Sequence, residues 1–492
     1  MVITAMGLVL ITFMVALAVD AAFLYLVKAK LSSSCDAAAL AAARSLNVGL
    51  TLAAQEASAR ARANAFFSAN FPVGTMNTKD LAVQITVAES GLRTRTVQVT
   101  ATLSSPTYFL KMAGYNQVPV TASGTASRRD VNLILVLDRS GSMANSGSCE
   151  PMKDAARAFV ANFAEGRDRL GLITYSSGWR LGFEASKTFK TSSPTLDAVI
   201  ADISCVGGTS SAMAISEAYN QLVTINEPGS LNLILFFTDG VPTALTASYP
   251  VKRVSDTRYG DGSSTYPNTA RQYSFPKSTC YDAAGRGNTS PGWNPQDRLG
   301  VMAAGGSGDA STGSTFGLYE RYTTSVNATD VSINGATSSP ESRAGCSFGP
   351  GTSNLTQVRR DIAYIPAQDA YGNATGCCYR SVSFFNSGTY SGQIRPDQPS
   401  SIGAAATNAT DNAATRIRTD PTYTPVFYVI GLGDPTGSGP PDEVLLAKIA
   451  NDPTSLSYTR TQTTGLYVFA PNNTQLNQAF SRIASEILRL SR

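Results

Sequence analysis

Apolar side chains follow three different spacings along this chain, and each spacing predicts a different kind of element. Residues 2–27 are almost continuously apolar, which is long enough for a helix that crosses a bilayer. Over residues 81–127, apolar and polar positions alternate, as in antiparallel strands with one covered face. Beyond Val131, short apolar runs alternate with helical periodicity. That alternation predicts a doubly wound α/β sheet.

The amino-terminal segment, residues 1–46, is predicted to be a transmembrane or pilin-like helix. Asp20 is the only charge within residues 2–27, and it lies toward one end, where a carboxylate reaches the interface or a partner helix. A cleaved signal peptide is the alternative, but the run lacks a basic leading segment and is too long. Lys28 and Lys30 follow the run, and the positive-inside rule alone would place the remaining chain in the cytoplasm.

Two further domains are predicted from the pattern. Residues 47–128 form a small α+β domain, in which a helix over 51–68 precedes the alternating strands and covers them. Residues 129–492 form the α/β domain. Its predicted strands are Val131–Leu137, Leu170–Tyr175, the edge strand Arg180–Phe189, Leu231–Thr238, Pro425–Ile430 and Gly465–Ala470. Its predicted helices are Cys149–Ala164, a helix with the pattern Met213, Ile215, Ala218, Tyr219 and Leu222, Ala404–Arg418, Asp442–Ala450 and a closing helix with Leu476, Phe480, Ile483 and Ile487 on one face.

A long stretch, about residues 245–400, interrupts the α/β pattern. It is rich in Gly, Ser, Thr, Asn and Tyr, shows neither helical nor strand periodicity, and holds Trp293 and four of the seven cysteines. Such a length is far too great for a plain loop in a compact domain. We therefore predict an inserted, disulfide-stapled subdomain. A disordered low-complexity segment is the alternative, but the aromatic residues and cysteines argue against full disorder.

Composition excludes several classes of function. Lys and Arg number 39 against 35 Asp and Glu, and no basic run suggests nucleic-acid binding. The chain has no histidine, which removes Ser-His-Asp and Cys-His catalysis, HExxH zinc sites and histidine bases. No paired carboxylate or nucleophile motif stands out, so we do not expect an enzyme. Six cysteines downstream of the apolar run favour disulfides and an oxidising compartment over scattered reduced thiols.

Polar side chains follow the strand predicted at Val131–Leu137. Asp138, Ser140 and Ser142 are spaced i, i+2 and i+4 at the carboxyl end of that strand, where open α/β sheets bind ligands. One carboxylate and two hydroxyls are hard oxygen ligands that suit Mg²⁺, Mn²⁺ or Ca²⁺ rather than zinc or copper. Thr209, in the sequence Gly-Gly-Thr-Ser, and Asp239, directly after a second buried strand, complete this candidate site. Ordinary polar caps and turns on a doubly wound sheet are the alternative.

The order Asp-x-Ser-x-Ser, then Thr, then Asp after a strand resembles the von Willebrand factor type A (VWA) domain with its metal-ion-dependent adhesion site (MIDAS). The resemblance extends from Asp130 to the end, apart from the insert, and implies a Rossmann-like fold. It implies one divalent cation, Mg²⁺ or Ca²⁺ with Mn²⁺ possible. The hydroxyls of Ser140, Ser142 and Thr209 would bind it directly, and Asp138 and Asp239 mostly through water. The sixth position would be open to a carboxylate from a protein or surface ligand.

The segment AVDAAFLYLVKAKLSSSCDAAALAAARSL resembles the amino-terminal segment of TadE/TadG-like proteins of the tight adherence (Flp) pilus. That resemblance implies one membrane helix with the rest of the chain exported. It places the protein at the bacterial inner membrane with a periplasmic or extracellular bulk, or on the surface or pilus. The predicted function is adhesion through the metal site, with pilus or secretion components as further partners. A structural component of the pilus machinery, with a purely structural metal site, is the alternative.

The cysteines give a separate prediction about the site. Cys149 follows the Asp-x-Ser-x-Ser loop and Cys205 precedes Thr209, so both are expected at the carboxyl edge of the sheet, where they would pair. The four cysteines of the insert would then pair among themselves: Cys280, Cys346, Cys377 and Cys378. Cys35 would stay free or form a bridge between copies of the chain.

Overall fold

The computed structural model divides the chain into two compact units. The N-terminal unit contains Met1–Val131, Asn162–Asp168 and Ser485–Arg492, and the α/β unit contains Asn132–Ala161 and Arg169–Ala484. The structure describes residues 2–46, 48, 50–91, 94–176, 178–228, 230–250, 298–303, 364–386, 390–395, 399–433 and 441–490.

The N-terminal unit consists of two helices and one antiparallel sheet. The sheet has three strands in the order β1-β2-β3. Burial alternates from residue to residue along the central strand, which agrees with the predicted period of two and leaves one face exposed. The elements are α1 (Val2–Ser45), α2 (Leu52–Asn70), β1 (Lys79–Gly91), β2 (Thr94–Pro106), β3 (Gln117–Arg129) and two short 3-10 helices, Thr75–Asn77 and Leu110–Ala113.

The covered face of this sheet packs mainly against the second half of α1. The expectation that the helix over 51–68 covers the sheet is therefore wrong, because α1 provides most of the cover. Among the described side chains of α2, Ala59, Ala63 and Phe67 reach the buried cluster, whereas α1 contributes an apolar residue at every turn. The α1 residues of the cluster are Val27, Leu31, Cys35, Ala38, Ala39, Ala42, Ala43 and Leu46.

A close contact between β3 and α1 depends on Gly124. A Cβ atom at this position would lie 2.5 Å from the backbone carbon of Cys35 and 2.5 Å from the backbone nitrogen of Asp36. The Cys35 thiol donates a hydrogen bond to the carbonyl oxygen of Ala122 at 3.6 Å, on the same strand. The small residues of both elements thus let the helix backbone lie directly on the sheet.

The predicted membrane segment, residues 2–27, lies entirely within the single long helix α1. Judged over the described residues, no helix of this chain combines the length and apolar character needed to cross a membrane. The side chains of residues 2–10, 12 and 13 lie outside the described part of the chain. Membrane insertion of this segment stays a prediction.

The α/β unit is built on one six-stranded sheet in the order β11-β10-β7-β4-β5-β6. β4 pairs with β5 in parallel, and β10 pairs in parallel with both β7 and β11. β6 runs antiparallel to β5, so the sheet is mixed. Its strands are β4 (Val131–Asp138), β5 (Arg169–Tyr175), β6 (Trp179–Ser186), β7 (Leu231–Thr238), β10 (Val426–Leu432) and β11 (Leu466–Ala470).

Helices cover both faces of the sheet, which is why its central strands read as continuous apolar runs. One face packs against α6, α7 and α8, and every residue of β4 is buried. On the other face, the ring of Phe480 lies 5.7 Å from that of Phe159 and 6.0 Å from that of Phe237. The helices are α3 (Gly141–Asn145), α4 (Cys149–Val160), α5 (Leu196–Ala201), α6 (Ser211–Ile225), α7 (Pro399–Arg418), α8 (Glu443–Ala450) and α9 (Leu476–Leu490), the last preceded by a 3-10 helix, Asn473–Gln475.

The sheet reverses its winding between β4 and β7. From β4 the chain moves to the neighbour β5, and from β7 it moves to β10 on the opposite side. The two crossover connections therefore leave in opposite directions, and a crevice opens at the carboxyl ends of β4 and β7. This topology brings the loop after Asp138 next to the loop after Thr238.

The insert contains regular structure that its sequence did not indicate. β8 (Ala244–Tyr249) and β9 (Arg298–Ala303) form a two-stranded antiparallel sheet, although the sequence shows no strand periodicity there. β8 is built largely from Ala, Thr and Ser, whose weak apolar contrast hides the alternation. Residues 251–297 and 304–363, with Cys280, Cys346 and Trp293, lie outside the described part of the chain.

The later part of the insert packs against helices of the α/β unit. Ile365 and Ile394 are buried in one cluster with β8 and the first half of α7. Asn373 donates to the hydroxyl of Ser216 on α6 at 3.2 Å and accepts a hydrogen bond from Arg416 on α7 at 3.0 Å. Residues 364–386 and 390–395 therefore contribute side chains to the core.

Replacing Gly124 by alanine should destabilise the N-terminal unit. Its Cβ would meet the backbone of α1 at 2.5 Å, so helix and sheet must separate, which costs about 3 kcal/mol at the upper end of overpacking effects. Thr125→Ala, on the exposed neighbouring position, should cost less than about 1 kcal/mol. Urea unfolding of both variants measures the difference, and an unchanged midpoint for Gly124→Ala contradicts the close packing.

Candidate metal centre

Five oxygen-bearing residues predicted from the sequence lie on three loops of the α/β unit. Asp138 is the last residue of β4, Ser140 is the N-cap of α3, and Ser142 lies in the first turn of that helix. Asp239 directly follows β7, and Thr209 precedes α6. All five lie at or just beyond the carboxyl ends of strands or at the start of a following helix.

Three of these side chains form a triangle of oxygen atoms. The hydroxyl oxygens of Ser140 and Ser142 lie 2.9 Å apart. The Ser142 hydroxyl donates to Oδ1 of Asp239 at 2.8 Å, and the Ser140 hydroxyl lies 3.4 Å from the same oxygen. The two strand ends thus meet at Oδ1 of Asp239.

Asp138 is fully buried beside these residues. Its Oδ1 accepts the backbone N–H of Ser140 at 2.8 Å, which shapes the loop. Its Oδ2 accepts the hydroxyl of Thr238 at 2.6 Å and lies 3.3 Å from the hydroxyl of Tyr175. Burial raises the pKa of Asp138, and these hydrogen bonds oppose that effect. A nearby cation would favour the ionised form.

Backbone hydrogen bonds place Thr209 on a loop beside the triangle. The N–H of Gly141 donates to the carbonyl oxygen of Gly207 at 2.7 Å, which joins this loop to the first one. The backbone of Gly207 has a φ of +98°, a conformation that favours glycine. Thr209 donates its N–H to the hydroxyl of Thr243 at 3.0 Å, and its carbonyl oxygen accepts the N–H of Thr243 at 2.9 Å.

Three residues that support the site were missed by the sequence analysis. Thr238 and Tyr175 are the last residues of β7 and β5, and both hydroxyls meet the Asp138 carboxylate. Arg139 is buried and donates to the carbonyl oxygen of Ser204 at 3.2 Å. Burial and the neighbouring charge of Arg180 lower the pKa of Arg139 to about 10. A polar residue at the end of a buried strand is the signal that would have identified Thr238 and Tyr175.

Cys149 and Cys205 form a disulfide, as predicted. Their Cα atoms are 6.2 Å apart, within the range usual for disulfides. Cys149 begins α4 directly after the first site loop, and Cys205 lies four positions before Thr209. The bond therefore ties the segment after the Ser140–Ser142 loop to the segment that leads to Thr209.

The other described cysteines behave differently. Cys377 and Cys378 are bonded to each other, which agrees with pairing within the insert, while Cys280 and Cys346 lie outside the described residues. Cys35 is free and fully buried, and burial raises the pKa of its thiol to about 11. A buried, protonated thiol does not favour the predicted alternative of a bridge between copies.

The donor set fits a hard divalent cation. Mg²⁺ holds oxygen ligands at about 2.1 Å in an octahedron, in which adjacent oxygens are about 3.0 Å apart. Two edges of the triangle, 2.9 and 2.8 Å, are close to that spacing, and the third is 3.4 Å. Within the described part of the chain, no group of three or more His, Cys, Asp or Glu could hold a metal ion, and the candidate centre itself has only two carboxylates. Hydroxyl and carboxylate oxygens suit Mg²⁺, Mn²⁺ or Ca²⁺.

Two family models match parts of this chain. The von Willebrand factor type A domain model matches residues 133–241, a range that includes all five candidate ligands. A model for TadE/G-like proteins of Flp pilus assembly matches residues 1–45. Both resemblances seen in the motifs are thereby confirmed for those segments. Among curated proteins, no sequence matches.

Several solved structures of bacterial surface proteins are weakly similar to this chain. The PilB minor pilin of Streptococcus sanguinis is 10% identical with a TM-score of 0.35, over 85% of this chain and 80% of that one. The vWF domain of the type V pili tip protein Mfa5 of Porphyromonas gingivalis is 16% identical with a TM-score of 0.36, over 75% and 98%. The pilus adhesin SpaC of Lactobacillus rhamnosus GG is 13% identical with a TM-score of 0.34, and the match covers 84% of this chain but 34% of that protein.

Removing the site disulfide should destabilise the protein. The bond closes a loop with a sequence separation of 56 residues, and opening it restores about 4 kcal/mol of chain entropy to the unfolded state. The double variant Cys149→Ser/Cys205→Ser should therefore unfold at lower denaturant under non-reducing conditions. Non-reducing peptide mapping of the parent chain is the companion measurement, and finding both cysteines as free thiols would refute the pairing.

Proposed function

We propose that this chain is a pilus-associated or surface binding protein whose α/β unit recognises a partner through one bound divalent cation. The observation that carries the proposal is the oxygen triangle in the crevice at the carboxyl ends of β4 and β7, where both hydroxyls of the first loop approach Asp239 Oδ1. The residues that would hold the ion are Asp138, Ser140, Ser142, Thr209 and Asp239. The match of residues 133–241 to the VWA domain supports it.

The ion would supply a positive centre that attracts a carboxylate of the partner. Ser140, Ser142 and Thr209 are neutral ligands, so only the carboxylates of Asp138 and Asp239 offset its charge. Thr238 and Tyr175 hold Asp138 in place through its Oδ2, which orients the first loop. A site with two carboxylates and several hydroxyls keeps enough residual charge for one anionic group.

The amino-terminal helix would act as the anchor of the molecule. Residues 2–27 form its apolar part, and the match of residues 1–45 to the TadE/G-like family supports a place at the inner membrane or in a pilus. The disulfide between Cys149 and Cys205 favours an oxidising compartment for the α/β unit. We therefore place the bulk of the chain in the periplasm or outside the cell.

A second candidate is a structural role in pilus assembly, which the match of residues 1–45 favours. The cation would then stabilise the fold without contacting a partner. The two roles differ in whether metal removal also abolishes binding. Catalysis is not proposed, because the chain lacks histidine and offers no evident base for metal-assisted hydrolysis.

Substituting Asp138 should abolish metal binding. The variant Asp138→Ala removes a carboxylate beside a doubly charged ion, so calorimetry with Mg²⁺, Mn²⁺ or Ca²⁺ should detect no binding at millimolar ion. Ser140→Ala removes one neutral ligand and should weaken binding less than Asp138→Ala does. Asp154→Ala, a substitution of an exposed aspartate on α4, is the matched control and should bind like the parent. Absence of binding by the parent contradicts the metal site.

Metal removal should also lower the thermal stability of the parent chain. At an ion concentration 100-fold above its dissociation constant, binding to the folded state adds about 2.7 kcal/mol. EDTA should therefore lower the melting temperature of the parent and leave that of Asp138→Ala nearly unchanged. An equal effect of EDTA on both proteins would place the stabilising ion elsewhere.

Partner binding should require both the ion and the intact site. Purified pili or cell-envelope proteins should be retained by the immobilised full chain in Mg²⁺, and EDTA or Asp138→Ala should release them. Retention that persists in both conditions, together with calorimetric metal binding, would favour the structural role.

A further inference from the structure

The loop between β2 and β3 folds onto α1 at Asp20. Oδ1 of Asp20 accepts the backbone N–H of Tyr108 at 2.8 Å, and Oδ2 accepts those of Phe109 and Leu110 at 2.9 and 2.6 Å. The Phe23 ring meets the Tyr108 ring edge to face, with centroids 5.1 Å apart. The one charge of the apolar segment is thus covered by a loop from the sheet, and its side chain is 1% exposed.

The same loop turns its large side chains outward. Tyr108 and Phe109 are each 44% exposed, Tyr115 is 63% exposed and Met112 is 87% exposed. Lys111 is exposed among them. We call these five residues the loop tip. Such a concentration of exposed aromatic and aliphatic side chains on one short loop marks an interaction surface.

The exposed apolar surface continues from the loop tip along α1. The described side chains before Asp20 include five large apolar ones that are all exposed: Ile11, Met14, Val15, Leu17 and Val19. Residues 2–19 carry no charge and extend about 27 Å along the helix axis. That length is close to the hydrocarbon thickness of a bilayer, about 30 Å. Asp20 then falls where the hydrocarbon ends.

Resting on the membrane placement of residues 2–27 proposed above, we propose that the loop tip inserts into the headgroup interface of a phospholipid bilayer. The hydrocarbon-spanning part is then residues 2–19, with Asp20 and the loop tip at one interface. The N-terminal unit would be held at the membrane by two contacts, the helix and the loop. Two contacts restrict the tilt of the unit relative to the membrane, whereas a single helix would leave the unit free to tilt.

The residue types of the loop tip are those that are enriched at the headgroup interface of membranes. Tyrosines accumulate at the interface because the ring is apolar and the hydroxyl is polar. A lysine there extends its ammonium group toward phosphate oxygens. On α1, Tyr25, which is 72% exposed, lies about 8 Å beyond Asp20 along the helix axis, and Lys28 lies about 12 Å beyond Asp20. The helix and the loop thus present the same order of residue types.

Asp20 has a specific task in this arrangement. A carboxylate at the edge of the hydrocarbon is costly unless hydrogen-bonded, and three backbone N–H groups satisfy it. Those N–H groups would otherwise lack partners where little water is present. A protein partner would instead bury Lys111 and need a matched acidic side chain, whereas phospholipid phosphates lie at this depth in any bilayer.

Depth-dependent quenching of an introduced tryptophan tests the placement. The full chain is reconstituted in phosphatidylcholine–phosphatidylglycerol vesicles with or without bromine near the top of the acyl chains. Three variants are compared with the parent: Met112→Trp in the loop tip, Met14→Trp in the apolar segment, and Val48→Trp as control. Val48 is 56% exposed and lies beyond the far end of α1, about 40 Å from Asp20 along the helix axis.

The emission added by Met112→Trp and by Met14→Trp should fall at least about twofold in brominated vesicles. The emission added by Val48→Trp should not change. Quenching of Met14→Trp without quenching of Met112→Trp overturns the loop inference and leaves the membrane helix intact. Absence of quenching at both positions overturns the membrane placement itself. If the emission of Met112→Trp changes with protein concentration and not with bromine, the loop tip contacts a second copy of the chain and the loop inference is overturned.

The role of Asp20 is tested in the same vesicles. Asp20→Ala removes the acceptor that holds the three N–H groups, so the loop tip should lose its fixed depth. Combined with Met112→Trp, it should reduce the quenching, while Met14→Trp in the same background keeps it. Unchanged quenching of Met112→Trp would show that Asp20 does not position the loop.

Discussion

The meeting of two strand ends at one carboxylate oxygen organises the α/β unit. Ser142 from the loop after β4 donates to Asp239 from the loop after β7, at 2.8 Å. This contact is available because β4 and β7 are neighbours while their connections leave in opposite directions. At such a switch point no crossover helix covers the strand ends, so polar loops can meet in a crevice. The candidate metal centre follows from the winding of the sheet.

The residues around this contact hold the loops in a fixed arrangement before any ligand arrives. Asp138 is buried and fastened by Thr238 and by the N–H of Ser140. The disulfide between Cys149 and Cys205 limits the movement of the two segments that flank the loops. Preorganised oxygen atoms lose little entropy when an ion binds, which favours affinity without requiring many charged ligands.

The constraint in the N-terminal unit is a different one. A long helix must pack closely against a small sheet. Small side chains on α1 and Gly124 on β3 let the two backbones approach. At the other end of the packed region, Asp20 receives three N–H groups from the β2–β3 loop. These three hydrogen bonds satisfy the one charge of the apolar segment, and they place the exposed aromatic side chains of the loop tip next to it.

The sequence alone determined the local elements, because burial on one or both faces leaves a period that can be read directly. The continuous runs of β4 and β7, the amphipathic α4 and α9, and the positions of Asp138, Ser140, Ser142 and Asp239 at strand ends were predicted from that period. Tertiary structure decided which elements are neighbours. The cover of the small sheet by α1, the hydroxyl of Thr238 on Asp138, and the loop that receives Asp20 join residues up to 100 positions apart. Periodicity reports that a side chain is buried, whereas its partner is chosen by the packing of the whole chain.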